Sequence, residues 1–390
     1  MERKEKKLTE GWKFWFGNTK EGEGQPVEIP HDWVIGEPFT KDRREASQGF
    51  RVRRGTGWYE NLLQVHVEEG HRYFLDFDGI YERSSVWVNG SYAGGHKYGY
   101  TPFRLEITDL VKLGENRVEI RVDSDVVPTD RWYTGAGLYR TVKLLETGKR
   151  YLDEREMIVS VNFPGNGYEE AAVIVETGND FPVKGEIQYA GEHVTAEGRQ
   201  GRLEFRLQKP FLWSAENPRL YQLKVCSEDD GSISDTAVLS IGLRDVRIIP
   251  DKGLYVNGNP VKLRGVCLHQ DAGCLGVAAK KEIWRKRLEK LKEMGCNAIR
   301  AAHHMHSAEF MDLCDELGFY VYEECFDKWT GGHYGSFFET EWRADLGAMV
   351  KRDRNRPCVI IWGVGNEVEN QGQNSMLRIL KMLVAELKEL

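Results

Sequence analysis

At 390 residues the chain has room for two or three domains with separate cores. Hydrophobic residues make up 41% and aromatic residues 11%, which marks a globular protein and excludes a disordered one. Fifty-four Lys and Arg against 61 Asp and Glu leave a net charge of −7, too mild and of the wrong sign for a nucleic-acid partner. The seven Cys form no Cys-x-x-Cys pair and are odd in number, so neither a disulfide framework nor a zinc site is expected. The charged start Met1-Glu2-Arg3-Lys4-Glu5-Lys6-Lys7 leads into no apolar signal segment, and no apolar run reaches membrane-spanning length. A soluble cytoplasmic protein with no membrane association is the expectation.

From Trp12 to about Leu145 the pattern is strands and turns. Arg72–Asp78, Ser85–Asn89 and Arg117–Asp123 alternate apolar with polar residues, and Asn89-Gly90 is a two-residue hairpin signal. A β-sandwich of the jelly-roll type over residues 1–146 fits this length. Strand patterns recur at Ala171–Glu176, Leu220–Val225 and Thr236–Ile241, and residues 147–247 read as an immunoglobulin-like β-sandwich.

Beyond Lys252-Gly253 the period changes. Lys262–His269, Asn297–His303, Tyr320–Cys325 and the run from Val359 read as strands, the last as a short buried one launched by Arg356-Pro357. Helical spacing follows each, with Gly295 and Gly318 as stops. Four βα units predict a parallel sheet over residues 248–390, the first half of a (β/α)8 TIM barrel. A closed barrel takes eight units and ~250 residues, whereas about 130 follow Lys262.

The strand ends carry His269 and Asp271, then Arg300, His303 and His304, then Glu323, Glu324 and Asp327, and finally Asn366 and Glu367. Strand ends converge on one rim, and Glu, His and Asn there suit sugar hydroxyls and general acid/base work. Glu324 and Arg300, on neighbouring strands, read as a structural ion pair. His303-His304-Met305-His306 could ligate a metal, but successive side chains on a strand end point different ways, and no metal is predicted.

Pro30-His31-Asp32-Trp33, Asn297–Arg300 and Trp362–Glu367 are among several motifs that resemble glycoside hydrolase family 2, the β-galactosidase and β-glucuronidase family. Its sugar-binding domain resembles Pro30-His31-Asp32-Trp33, Gly57-Trp58-Tyr59, Val86–Gly90, Tyr98–Phe103, Arg131-Trp132-Tyr133 and Gly137–Arg140. Its second domain is similar to Leu212–Ser214 with Asn217–Tyr221, and its barrel to Gly265–Asp271, Asn297–Arg300 and Trp362–Glu367. The resemblance implies a retaining β-glycosidase, with β-galactosides the default substrate. Glu367 would be its general acid/base, kept protonated by burial and by its partner's charge. Asn366 would hold the sugar 2-hydroxyl, His269 and His303 would contact the sugar, Arg300 would help orient the nucleophile, and Asp271 would line the site. A retaining mechanism needs a second carboxyl about 5 Å away. The family places that nucleophile after its seventh strand, so the expectation is that it is not within this chain. Asp327-Lys328-Trp329 stands where the large bacterial enzymes have magnesium ligands, and no cofactor is expected. A half barrel exposes apolar edges, so a second copy or a complementing C-terminal chain is the expected partner besides carbohydrate. The alternative is a non-catalytic carbohydrate-binding or assembly protein, with Trp58, Trp87 and Tyr98 as stacking candidates.

Overall fold

The computed structural model describes residues 3–40, 54–125, 129–165, 167–369 and 371–390; Met1 and Glu2 of the charged start lie outside them. The alternation read in the N-terminal third folds into two antiparallel sheets sharing one core. One sheet has the order Lys4–Lys7, Val142–Thr147, Arg72–Phe77, Phe103–Glu106. The other runs Gln25–Val27, Trp12–Phe16, Thr56–Val65, Gly114–Asp123, Ser84–Val88, Ser91–Gly94. Inward residues such as Tyr59, Leu75, Phe77, Val86 and Ile120 are buried between them. Asn89 and Gly90 both take positive φ, and Val88 pairs with Ser91 across that turn, as the hairpin signal requires.

The second sandwich packs a three-stranded sheet (Ile158–Asn162, Glu170–Glu176, Arg202–Gln208) on a four-stranded one (Glu192–Gly198, Val183–Tyr189, Tyr221–Asp229, Ser232–Ile241). Val173, Val175, Phe205, Leu223 and Val225 form its core. A small antiparallel sheet, Val246–Ile249, Gly253–Val256 and Asn259–Pro260, leads out of it.

The remaining sheet is wholly parallel, with spatial order equal to chain order: Gly265–Leu268, Ala298–Ala301, Tyr320–Glu324 and Val359–Gly363. Helices α1 (Lys281–Glu293), α2 (Ala308–Leu317), α3 (Phe338–Asp353) and α4 (Asn374–Glu389) alternate with the strands, which is the four-unit barrel segment expected. The first two strands are shorter than their apolar runs suggest. Asn297 is spent as a clamp on the chain before the first strand, accepting from the Arg264 N–H at 2.8 Å and donating to the Lys262 carbonyl at 3.1 Å. The fourth strand is only partly buried, against the expectation of a buried one. Among the described residues it pairs only with Tyr320–Glu324, and Ile361 is 37% exposed.

Three contacts lock the units together. Trp213 of the second sandwich is fully buried against Tyr320, and its Nε1 donates to the Asp315 carbonyl at 3.0 Å. Tyr81, Tyr98, Tyr100 and Tyr139 of the first sandwich share a core with Met305, Phe326, Trp329 and Tyr334. Buried Arg140 donates to Gln270 Oε1 (3.0 and 2.5 Å) and to the carbonyls of Asp78, Tyr100 and Met305. The stacking candidate Tyr98 is therefore core, while Trp58 and Trp87 stack on each other with centroids 5.6 Å apart. Among the described residues no helix is long and apolar enough to cross a membrane.

Candidate active site

The C-terminal ends of the parallel strands present one continuous polar network. Strand alternation turns Arg300 and Glu324 to the same side. Arg300 Nη2 donates to Glu324 Oε1 at 2.6 Å and to Asn366 Oδ1 at 2.8 Å. His303 Nδ1 lies 2.7 Å from Glu324 Oε2. Glu324 is completely buried with both oxygens engaged, so it forms the ion pair read from the sequence and fixes Arg300 and His303 around it. Asn366 passes the network on. Its Nδ2 donates to Asp327 Oδ1 at 2.6 Å, and its N–H to the Asp327 carbonyl at 2.7 Å.

Glu367 follows through Gly363-Val364-Gly365, where close approach to neighbouring rings rules out a side chain at either glycine. A Cβ on Gly363 would lie 2.4 Å from the Tyr322 ring, and one on Gly365 would lie 2.4 Å from Trp329 Nε1. Trp329 also donates to the Val364 carbonyl at 2.5 Å. The backbone so held turns Glu367 to φ +43° and leaves its side chain 60% exposed. Lys328 Nζ lies 3.3 Å from Glu367 Oε2 and Arg131 Nη1 2.7 Å from it. The Lys328 hydrogen bond and the Arg131 charge hold the Glu367 carboxyl below its ordinary value. Burial does not keep this acid protonated, contrary to expectation, because the strand end carries it outward among cations.

His269 stacks on Trp132 (4.8 Å between centroids, 23° between planes) and meets His303 edge-on at 5.3 Å. Its buried Nδ1 has no hydrogen-bond partner among the described residues, and burial, with the neighbouring His303, lowers its pKa. Asp271 accepts from the Gly273 N–H at 3.4 Å in the turn after the first strand, and no hydrogen bond among the described residues joins it to the network. Of the histidine cluster only His303 reaches Glu324. His304 is stacked 3.7 Å from Tyr100, and His306 bonds the Leu268 carbonyl. Among the described residues the one ligand triad within mutual reach is Glu68, His71 and Glu146, distant in kind from the rim, with Lys4 on Glu146 at 3.1 Å.

The segment Arg131-Trp132-Tyr133 comes from the first sandwich. Asp32 anchors it, accepting from Tyr133 Oη (2.7 Å) and from the N–H groups of Ala136 (3.2 Å) and Val277 (3.2 Å). Trp132 Nε1 donates to Tyr100 Oη at 2.9 Å. Sequence reasoning marked this motif but did not connect Arg131 or Lys328 with Glu367.

Comparison with known proteins decides the family. Residues 41–148 match the model of the family 2 glycosyl hydrolase sugar-binding domain, 149–244 the general family 2 model, and 247–389 its TIM-barrel domain. The chain belongs to glycoside hydrolase family 2. Family 2 relatives include a protein of Formosa agariphila named putative β-glucuronidase, 32% identical over 94% of this chain and 37% of its own length. Another is the β-galactosidase BoGH2A of Bacteroides ovatus, 31% identical over 96% of this chain and 48% of its own. The structure of a family 2 member from Bacteroides cellulosilyticus superposes with a TM-score of 0.92 at 33% identity, covering 99% of this chain and 55% of that one. The chain thus spans half or less of the length of these curated relatives.

Proposed function

We propose that this chain supplies the acid/base side of a retaining β-glycosidase site acting on terminal β-galactosides or β-glucuronides. The observation that carries it is the Asn366-Glu367 pair at the end of the fourth strand, tied through Arg300 to Glu324 and His303. In this reading Glu367 gives its proton to the glycosidic oxygen as the bond to the anomeric carbon breaks. A second carboxylate takes that carbon, and Glu367 then deprotonates the water that releases the sugar. Asn366 and the His269–His303 corner hold the sugar hydroxyls, with Asp271 at the margin. The names of the relatives support both sugar classes. β-Galactosides are the first class to test, and the second carboxylate is taken to come from outside this chain, through a complementing segment or a second copy.

The test is Glu367→Gln in a preparation containing the second carboxyl, assayed on aryl β-galactosides and β-glucuronides. Phenyl glycosides, whose departure needs a proton, should lose at least about a hundredfold in rate. Dinitrophenyl glycosides, whose leaving group departs as an anion, should be spared in the first step. Equal rates for variant and wild type on phenyl glycosides would sink the assignment.

A further inference from the structure

Four charges at the mouth of the site saturate one another. Arg131 lies 2.7 Å from Glu367 and 3.6 Å from Asp327, and Lys328 lies 3.3 and 3.2 Å from the same two carboxylates. Asp327 is also tied to Asn366 and only 10% exposed, whereas Arg131 and Glu367 are 49% and 60% exposed. The fixed partner is Asp327; the exchangeable one is Glu367.

The acid step requires Glu367 to be neutral. Once it is, two cations share one carboxylate and the set carries a net positive charge. Among the other charged groups facing it, Asp130 is buried on Tyr81 and acts on Asp327 whether Glu367 is charged or neutral. Arg300 and Glu324 are paired with each other, and His303 is bonded to Glu324. His269, beside Trp132, is disfavoured from charging by burial.

We infer that Arg131 and Lys328 form an anion site on the leaving-group side of Glu367, fitted to glycosides whose leaving group bears a carboxylate or sulfate. The inference rests on Glu367 being the acid/base. The substituent takes the place of the Glu367 carboxylate on the two cations, which raises the proton affinity of Glu367 by up to about fivefold. The proton on Glu367 then passes to the glycosidic oxygen, which keeps the electron pair of the breaking bond, while the second carboxylate bonds the anomeric carbon. An anionic leaving group would thereby raise the protonated fraction of its own acid, which a neutral one cannot do.

The test is binding of benzoate, phenyl sulfate and neutral benzyl alcohol to the 390-residue chain, followed by ligand-observed NMR between pH 4 and 8. An exposed pair is worth about a fivefold change in an equilibrium at most. At pH 7, Glu367→Gln should therefore bind the anions up to about fivefold more tightly than wild type, and benzyl alcohol no differently. Wild type should approach the variant as the pH falls through the Glu367 titration. The Arg131→Gln, Lys328→Gln double variant, checked for folding by circular dichroism, should lose most anion binding. The preferred anion tells carboxylate from sulfate. Anion affinity unchanged in Glu367→Gln, or retained in the double variant, would overturn the inference. Because binding is read without turnover, its failure is distinct from a failure of the acid/base reading in the hydrolysis assay.

Discussion

Glu324 is the most constrained carboxylate of the rim, fully buried between Arg300 and His303. Removing one partner from a buried pair leaves an uncompensated charge, typically about 3–5 kcal/mol. Arg300→Met should therefore destabilise the chain by several kcal/mol in urea unfolding. Half of that penalty or less would mean that His303 alone suffices. Glu367 is the opposite case, a solvated carboxylate whose proton affinity is set by two cations. A cation favours the ionised form, so Lys328→Met should move the Glu367 titration to higher pH, followed by carboxyl carbon NMR with Glu367→Gln as the assignment control. The Asn366-Glu367 pair was legible because strand, Gly-Val-Gly and carboxylate are contiguous in the chain. The Arg131–Glu367 contact was not, because it joins two domains and leaves no local pattern.

Among the elements, α2 shows how a helix end can carry an inter-domain contact. Ser307 caps its start, accepting from the Phe310 N–H at 3.3 Å, and Gly318 ends it at φ +76°. A Cβ on Gly318 would lie 2.4 Å from the Ala215 carbonyl of the second sandwich. Gly318→Ala should thus cost more than the ~1 kcal/mol of the backbone preference alone, while Ser307→Ala should cost about 1 kcal/mol. Thermal unfolding of both variants measures the difference, and equal losses would show that the neighbouring loop yields. The stop at Gly318 was readable from sequence; its second duty against Ala215 was not. Likewise the apolar run at Val359 announced a strand, but apolarity does not reveal how many neighbours a strand has. Ile361 is half-open for that reason.

At the scale of the molecule, the three β and α/β units were legible from their periodicities, whereas their mutual seating rests on isolated residues with no repeat. One such seat is titratable. Asp130 is buried beside Tyr81, whose hydroxyl donates to it at 3.4 Å, and burial, opposed by the charge of His333, raises its pKa to about 6. The unfolded carboxyl titrates near ~4, so between about pH 4 and 6 the folded chain binds more protons than the unfolded one. This residue's contribution to stability therefore improves as pH falls through that window and is least favourable above it. Asp130→Asn should be more stable than wild type at pH 7, by up to about 3 kcal/mol, and the advantage should vanish near pH 4. An unfolding free-energy difference that stays flat across that range would refute the sign. The stacking of Trp132 on His269 gives the same seat an optical signature. A protonated imidazole accepts an electron from an excited indole far more readily than a neutral one does. Subtracting the emission of Trp132→Phe from that of the native chain therefore turns this one ring into a built-in lamp. It dims when His269 charges and brightens if the first sandwich lifts away from the rim.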